Sequence, residues 1–128
     1  MTAISTNPGT SNLQELKERL SRYQQINLGV VGRKSGNVIS RPVWFVFEAG
    51  KLSLVPVEGS DTQWYKNILQ NPTVHVSARG VEGKFQVTSI TGKKEVASVV
   101  EKFREKYGAS DVKKYYSKFD VAVVVDLS

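Results

Sequence analysis

The sequence predicts a small antiparallel β-barrel of about six strands with peripheral helices, a mainly β, α+β fold. Three observations carry that expectation. Segments rich in Val, Ile, Phe and Thr follow one another across short turns containing Gly or Pro, as strands do when they return antiparallel. Three other segments place apolar residues at helical spacing, and they fall at the start, in the middle and before the last strand. Val121 to Val125 is a short unbroken apolar run, the pattern of a closing strand buried on both faces. A meander of such strands closes most simply as a barrel, which leaves no long exposed edge.

Met1 to Thr10 is polar and interrupted by Asn7, Pro8 and Gly9, so a mobile arm is expected there, with residues 11–128 forming one domain. Asn12 with Glu15 resembles a capping box. The helix it opens carries Leu13, Leu16, Leu20 and Tyr23 on one stripe, with Glu15–Arg19 and Glu18–Arg22 as exposed i,i+4 pairs. Ile26 to Val31 reads as a strand leading into a glycine turn, and Val38 to Phe47 as the strand leaving it. Within it Val43 to Phe47 is apolar on both faces, which predicts a central strand. Pro42 lacks a ladder donor and belongs at an edge or bulge. Glu48 to Lys51 is a hairpin turn, and Leu52 to Val57 the returning strand.

Asp61 reads as the N-cap of a helix carrying Trp64, Tyr65, Ile68 and Leu69, stopped by Asn71 and Pro72. Thr73 to Ala78 and Gly83 to Ile90 form another antiparallel pair. A helix over Lys93 to Tyr107 presents Val96, Val99, Val100, Phe103 and Tyr107 on one face and stops at Gly108. A short helical turn follows near Asp111 to Tyr116.

The most informative stretch is Gly32 Arg33 Lys34 Ser35 Gly36, a tight turn between two strands that presents two cations and a hydroxyl. Glycine permits the positive φ values that let successive N–H groups converge on an anion, while Arg, Lys and Ser add donors, so the turn suits a phosphate. A plain solvated hairpin shows the same residues, and from the turn alone both readings stand.

Composition excludes several chemistries. With no cysteine there is no disulfide framework, thiolate metal site or cysteine nucleophile, and one histidine, His75, argues against a histidine metal site or a Ser/His relay. No metal is expected. No apolar run reaches membrane-spanning length and no signal sequence is evident, so a cytoplasmic protein without an integral membrane segment is expected. The net charge of +6 calls for an anionic partner. No RNP-like or helix-turn-helix pattern supports specific nucleic-acid binding.

Gly32 to Gly36, Pro42 Val43, Trp64 Tyr65 Lys66 Asn67 Ile68, Asn71 Pro72 Thr73 Val74 and the Val-rich last strand together resemble, in order and spacing, the deazaflavin-dependent nitroreductase family. That family belongs to the flavin-binding split β-barrels related to pyridoxamine 5′-phosphate oxidase, and the similarity runs from about Leu13 to the end of the chain. The resemblance implies a split barrel that binds coenzyme F420, or FMN as in sister branches. It places phosphate oxygens at Arg33, Lys34 and Ser35 and the ring or ribityl chain along Pro42, Val43 and Trp44. Val55, Val57 and Gly59 would approach the ring edge through backbone N–H groups, with Trp64, Lys66 and Asn67 closing the groove. Where the family usually carries an arginine this chain has Ile39. Arg41 shares a strand face with it and is expected to take over the anion contact. The loop 57–60 also lacks the family's usual serine before its glycines.

The resemblance implies an oxidoreductase passing hydride between the deazaflavin and a small acceptor such as a quinone or nitroaromatic, with the chemistry carried by the cofactor. Tyr107, Tyr115 and Tyr116 fall where the family places substrate-facing tyrosines, and Tyr107 and Tyr116 are the candidate catalytic residues. Tyr107 equally completes an apolar helix stripe, and one of the two adjacent tyrosines is expected to point inward. Trp44 and Trp64 can stack on a flavin-like ring or serve the core or a dimer contact. The lysine-rich stretch from Lys93 to Lys118 is a solvated face that can also steer a polyanion. His75 is an ordinary strand residue unless the fold carries haem. An FMN flavoprotein, or a non-enzymatic binder of cofactor, haem or lipid, remains the alternative, and split barrels often place their cofactor at a homodimer interface.

Overall fold

The computed structural model describes residues 8–127. The elements run α1 (Pro8–Leu20), β1 (Ile26–Val31), β2 (Val38–Val43), β3 (Val46–Glu48), β4 (Lys51–Leu54), α2 (Gln63–Gln70), β5 (Thr73–Ala78), β6 (Val81–Ile90), α3 (Lys93–Tyr107), α4 (Ala109–Tyr115) and β7 (Ala122–Asp126). The seven strands form one antiparallel sheet in the order β2-β1-β5-β6-β7-β4-β3, rather than the six expected. The arm expected over residues 1–10 lies, as far as residue 7, outside the described residues. Helix α1 already begins at Pro8, which puts Asn12 inside the helix instead of at its cap.

The additional strand comes from a break. Val38 to Phe47 is two strands, because Trp44 and Phe45 leave the ladder: β2 pairs with β1, whereas β3 pairs with β4. These strands are the two ends of the sheet, so two residues carry the chain from one edge to the other. The expected central strand over Val43–Phe47 is therefore corrected to an edge strand. Its two apolar faces have another cause: Phe45 and Phe47 pack with the barrel interior, while Val46 packs with the helical layer. Nor are all edges hidden, since the first five residues of β2 are exposed. Pro42 sits on that edge, where its missing donor costs no ladder bond.

Two other strands define the curl. The first half of the long β6 pairs with β5 and its last four residues pair with β7, so β6 carries the sheet around a corner. Along β7, Val123 and Val125 face the barrel interior with Leu28, Val30, Leu52 and Val76, while Ala122 faces Val96, Val100 and Phe103 of α3. Each large apolar side chain removed from water here contributes roughly 2 kcal/mol before entropy is charged against it. Ala49 (φ 53) and Gly50 (φ 78) make the β3–β4 turn, a pair of positive-φ residues that matches the strand twist. No described helix is long and apolar enough to cross a membrane.

Between β4 and α2 the chain makes a single 3₁₀ turn, Gly59–Asp61, and α2 starts from Thr62, so Asp61 is not its N-cap. This turn is latched to the segment before β7. Lys118 pairs with Asp61 at 3.1 Å, and the Ser60 N–H donates to Asp120 at 2.9 Å. The Ser60 hydroxyl also donates to Asp120 and is the main reason that carboxyl sits below its usual range. Gly59 adopts φ +55, and a Cβ there would collide with Asp120 Oδ1 and the Lys118 side chain. Gly59→Ala should therefore lower stability by roughly 2 kcal/mol, against about 1 kcal/mol for Gly36→Ala, where φ is also positive but the space is open. Urea midpoints measure both, and equal small losses would show that the latch yields freely.

Candidate functional site

The broken end of the sheet opens into a cleft of about 630 Å³. Arg41, Pro42 and Val43 of β2 and Trp44 of the break form one wall, and Val55 and Val57 after β4 form another. Thr62, Gln63 and Trp64 at the start of α2 add a third side, with Tyr115 at the end of α4 and Tyr116 just after it. A cleft of this size, largely apolar with a few polar groups, suits a planar aromatic molecule.

A second hollow of about 250 Å³ adjoins it, lined by Gly32, Arg33, Lys34, Ser35, Ile39 and Asn67, and it shares Arg41, Gln63 and Trp64 with the cleft. The glycine turn forms its rim. Gly36, at φ 75, donates its N–H to Gly32 O at 2.8 Å, and Gly32 donates to Asn37 O at 2.8 Å. Neither the Lys34 nor the Ser35 N–H has an acceptor among the described residues. Arg33, by contrast, is committed to α2: its Nη1 donates to Asn67 Oδ1 at 2.7 Å and its Nη2 to Gln63 Oε1 at 3.0 Å. Asn67, only 6% exposed, accepts the Arg33 backbone N–H as well. Arg33 and Asn67 thus anchor the turn, and Lys34 and Arg41, which have no carboxylate partner among the described residues, carry the charge of the hollow. Two unpaired N–H groups, a hydroxyl and two cations at one rim are the donor set of a phosphate ester.

Ile39 and Arg41 both line this hollow, as strand alternation predicts. Three other predicted residues are not brought to the site. The Gly59 N–H is taken by Pro56 O at 3.0 Å, so it has no hydrogen to offer a ring edge, and its conformation serves the latch. Lys66 lines neither hollow. Tyr107 does not line the cleft either; it stacks on Trp44 with centroids 4.2 Å apart and planes within 5°. Its hydroxyl donates to Gln24 O at 2.7 Å, lies 2.8 Å from Phe45 O and accepts the Phe45 N–H at 3.0 Å. Burial pushes its phenol up to about 12, so it stays protonated and fixes the break. Lys106 adds a second fastening, with Nζ 2.8 Å from Phe45 O and 3.7 Å from the Phe45 ring centroid; burial pulls its pKa down to about 8.

Tyr115 and Tyr116 both line the cleft, although only one was expected to point inward. Tyr115 is 55% exposed and meets Trp44 edge-on at 5.5 Å. Tyr116 is 6% exposed, and its hydroxyl has no hydrogen-bond partner among the described residues. Burial first, and the neighbouring Tyr107 second, push its phenol well above the usual range. His75 lies on the opposite face of the sheet, beside Gly29 and across from Lys84. Gln25, Glu58, Thr62 and Gln63 also line the cleft, and only the position of Gln63 beside Trp64 hinted at this in the sequence. Among the described residues no group of acidic or histidine side chains is arranged for a metal.

A model of the F420H(2)-dependent quinone reductase family matches residues 7–128. No curated protein matches. Among solved structures, one described as a domain-swapped dimer is 22% identical over 91% of this chain and 98% of its own, with a TM-score of 0.64. An F420-H2 dependent reductase is 23% identical over 80% and 94%, with a TM-score of 0.62. The heme storage protein HutZ of Vibrio cholerae is 14% identical over 88% and 87%, with a TM-score of 0.65. These likenesses show the same curled-sheet fold.

Proposed function

The chain belongs to the F420H(2)-dependent quinone reductase family, and on that premise we propose that its cleft seats the deazaflavin ring beside a quinone while the glycine turn holds the cofactor phosphate. It is an oxidoreductase that uses coenzyme F420. The observation that carries the site assignment is the continuity of the two hollows: Arg41, Gln63 and Trp64 line both, so a phosphate at the turn directs an attached ring into the cleft. The donor set at the turn fits that phosphate, and the apolar cleft fits the tricycle.

Lys34, Arg41, the Ser35 hydroxyl and the Lys34 and Ser35 N–H groups would hold the phosphate, with Arg33 and Asn67 keeping the turn in place. Pro42, Val43, Trp44, Val55, Val57 and Trp64 would enclose the ring and exclude water. Reduced F420, when bound, supplies a hydride. The quinone oxygen that gains charge then needs a proton, and Tyr116 would supply it: it lines the cleft, keeps its proton at neutral pH and has no hydroxyl partner among the described residues. A nitroaromatic acceptor has the same need for hydride and proton, but the matched family names a quinone. The structure described as a domain-swapped dimer and the exposed β2 edge support a homodimer.

Lys34→Ala and Arg41→Ala should each raise the Kd for F420 about tenfold, with a shallower dependence on salt than the parent protein shows. Fluorescence titration measures this; unchanged affinity in both variants, or tighter binding of FMN or haem than of F420, would contradict the assignment. Tyr116→Phe should lower kcat for quinone reduction by roughly a hundredfold while leaving the F420 Kd unaltered, because only proton delivery is lost. A wild-type kcat in this variant would remove Tyr116 from the chemistry.

A further inference from the structure

At the far end of β1 from the glycine turn lies a third hollow, of about 550 Å³, lined by Arg22, Tyr23, Gln24, Gln25, Asn27 and Arg79, among others. No acidic residue lines it. Gln25 lines the main cleft too, and Asn27 is the register partner of Pro42, which forms part of that cleft's wall. The hollow is thus an extension of the cleft around the end of the sheet. β1 has six residues from Ile26 to Val31, so the phosphate turn and this hollow are separated by roughly 15–20 Å.

Arg79 is the residue that needs explaining. It occupies the first central position of the β5–β6 turn at φ 54, with Gly80 at φ 87 behind it. That left-handed conformation favours Gly, Asn or Asp, and a long side chain there is strained by about 1 kcal/mol. Its guanidinium nevertheless lies over the Tyr23 ring, 4.9 Å from the centroid, and it has no carboxylate partner among the described residues. Arg19 Nη1 donates to the Arg79 carbonyl at 2.8 Å and so fixes the turn from α1. Arg22, the other cation here, is paired with Glu18 at 3.0 Å. One planar fork of donors, parked on an aromatic face and surrounded by neutral amides, suits a carboxylate.

Resting on the reading of the main cleft as the acceptor site, we propose that this hollow is a carboxylate subsite that takes an acidic side arm of the acceptor, with Arg79 as its principal contact. The cofactor's own acidic tail is the other source of carboxylates, but it leaves from the phosphate, at the opposite end of β1. An acceptor arm would reach the hollow past Gln25, which lines both it and the cleft.

The test uses menadione and menadione carrying a propanoate arm, with the wild type and Arg79→Asn. Asn suits the left-handed position, so the turn is kept while the charge is removed. Calorimetric binding to the protein should show the propanoate quinone held about tenfold tighter than menadione by the wild type, with that advantage lost in Arg79→Asn. The F420 Kd and menadione turnover should be the same in both proteins. Equal affinity of the wild type for the two quinones, no measurable binding of either, or a parallel loss for both in the variant would overturn the subsite. A rise in the F420 Kd of Arg79→Asn would overturn it in favour of the cofactor tail. Wild-type protein that binds the propanoate quinone with the predicted preference but oxidises no reduced F420 would instead break the functional reading and leave the subsite standing.

Discussion

The structure depends on one crossing of the chain. At Trp44 and Phe45 the backbone leaves one end of the sheet and joins the other, so the curled sheet stays open at that seam. A break in the ladder leaves backbone groups that need partners, and those of Phe45 are met by Tyr107 and Lys106 from α3. The same tyrosine lies flat against Trp44 and thereby sets the angle of the cleft wall. A helix outside the barrel thus shapes the inside of the cleft without lining it. The seam also explains why the last strand is covered on both faces while β2 is left open: α3 packs over β3 and β7 and holds the break, whereas the first five residues of β2 stay exposed.

The cations divide by partner. Arg19 and Arg22 pair with Glu15 and Glu18 on α1, Lys102 with Glu48, and Lys118 with Asp61, all at solvent-exposed sites where each pair is worth little. Arg33 is spent on Gln63 and Asn67 and acts as a bracket. Lys34, Arg41 and Arg79 lack carboxylate partners among the described residues, and all three border the connected hollows. Other lysines, among them Lys93, Lys94, Lys113 and Lys114 of the helical surface, have no carboxylate partner among the described residues either, but they line none of these hollows and belong to an ordinary solvated face.

Much of this was legible in the sequence, and the failures share a cause. Helix α3 was readable to its ends because its stripe is long and Gly108 terminates it, and the Ala49–Gly50 turn announced its hairpin. The turn at Gly32–Gly36 showed itself by its glycines, and the place of Arg41 beside Ile39 in the second hollow followed from strand alternation. The break at Trp44 was invisible, since the run on either side of it is equally apolar and a strand that changes partners has the same periodicity as one that does not. Calling that run central followed from the same blindness. Tyr107 matched both a stripe residue and a site residue, and only its hydroxyl partners decide for the stripe. Gly59 looked like a ligand-facing glycine, whereas its conformation answers to Asp120 and Lys118, more than fifty residues away in sequence. Glu58, Thr62 and Gln25 reach the cleft through loop geometry, for which no local pattern exists.

The central claim is that one ligand spans the seam, with its phosphate at the glycine turn and its ring between the two tryptophans. Amide and indole NMR spectra of nitrogen-labelled protein during addition of F420 test this most directly, because both tryptophans of the chain line the cleft. The account predicts that both indole signals and the Lys34 and Ser35 amides move together with one affinity, while His75 and Lys84 on the opposite face stay still. Movement of the His75 face, or indole signals that remain fixed while the protein binds F420, would contradict it.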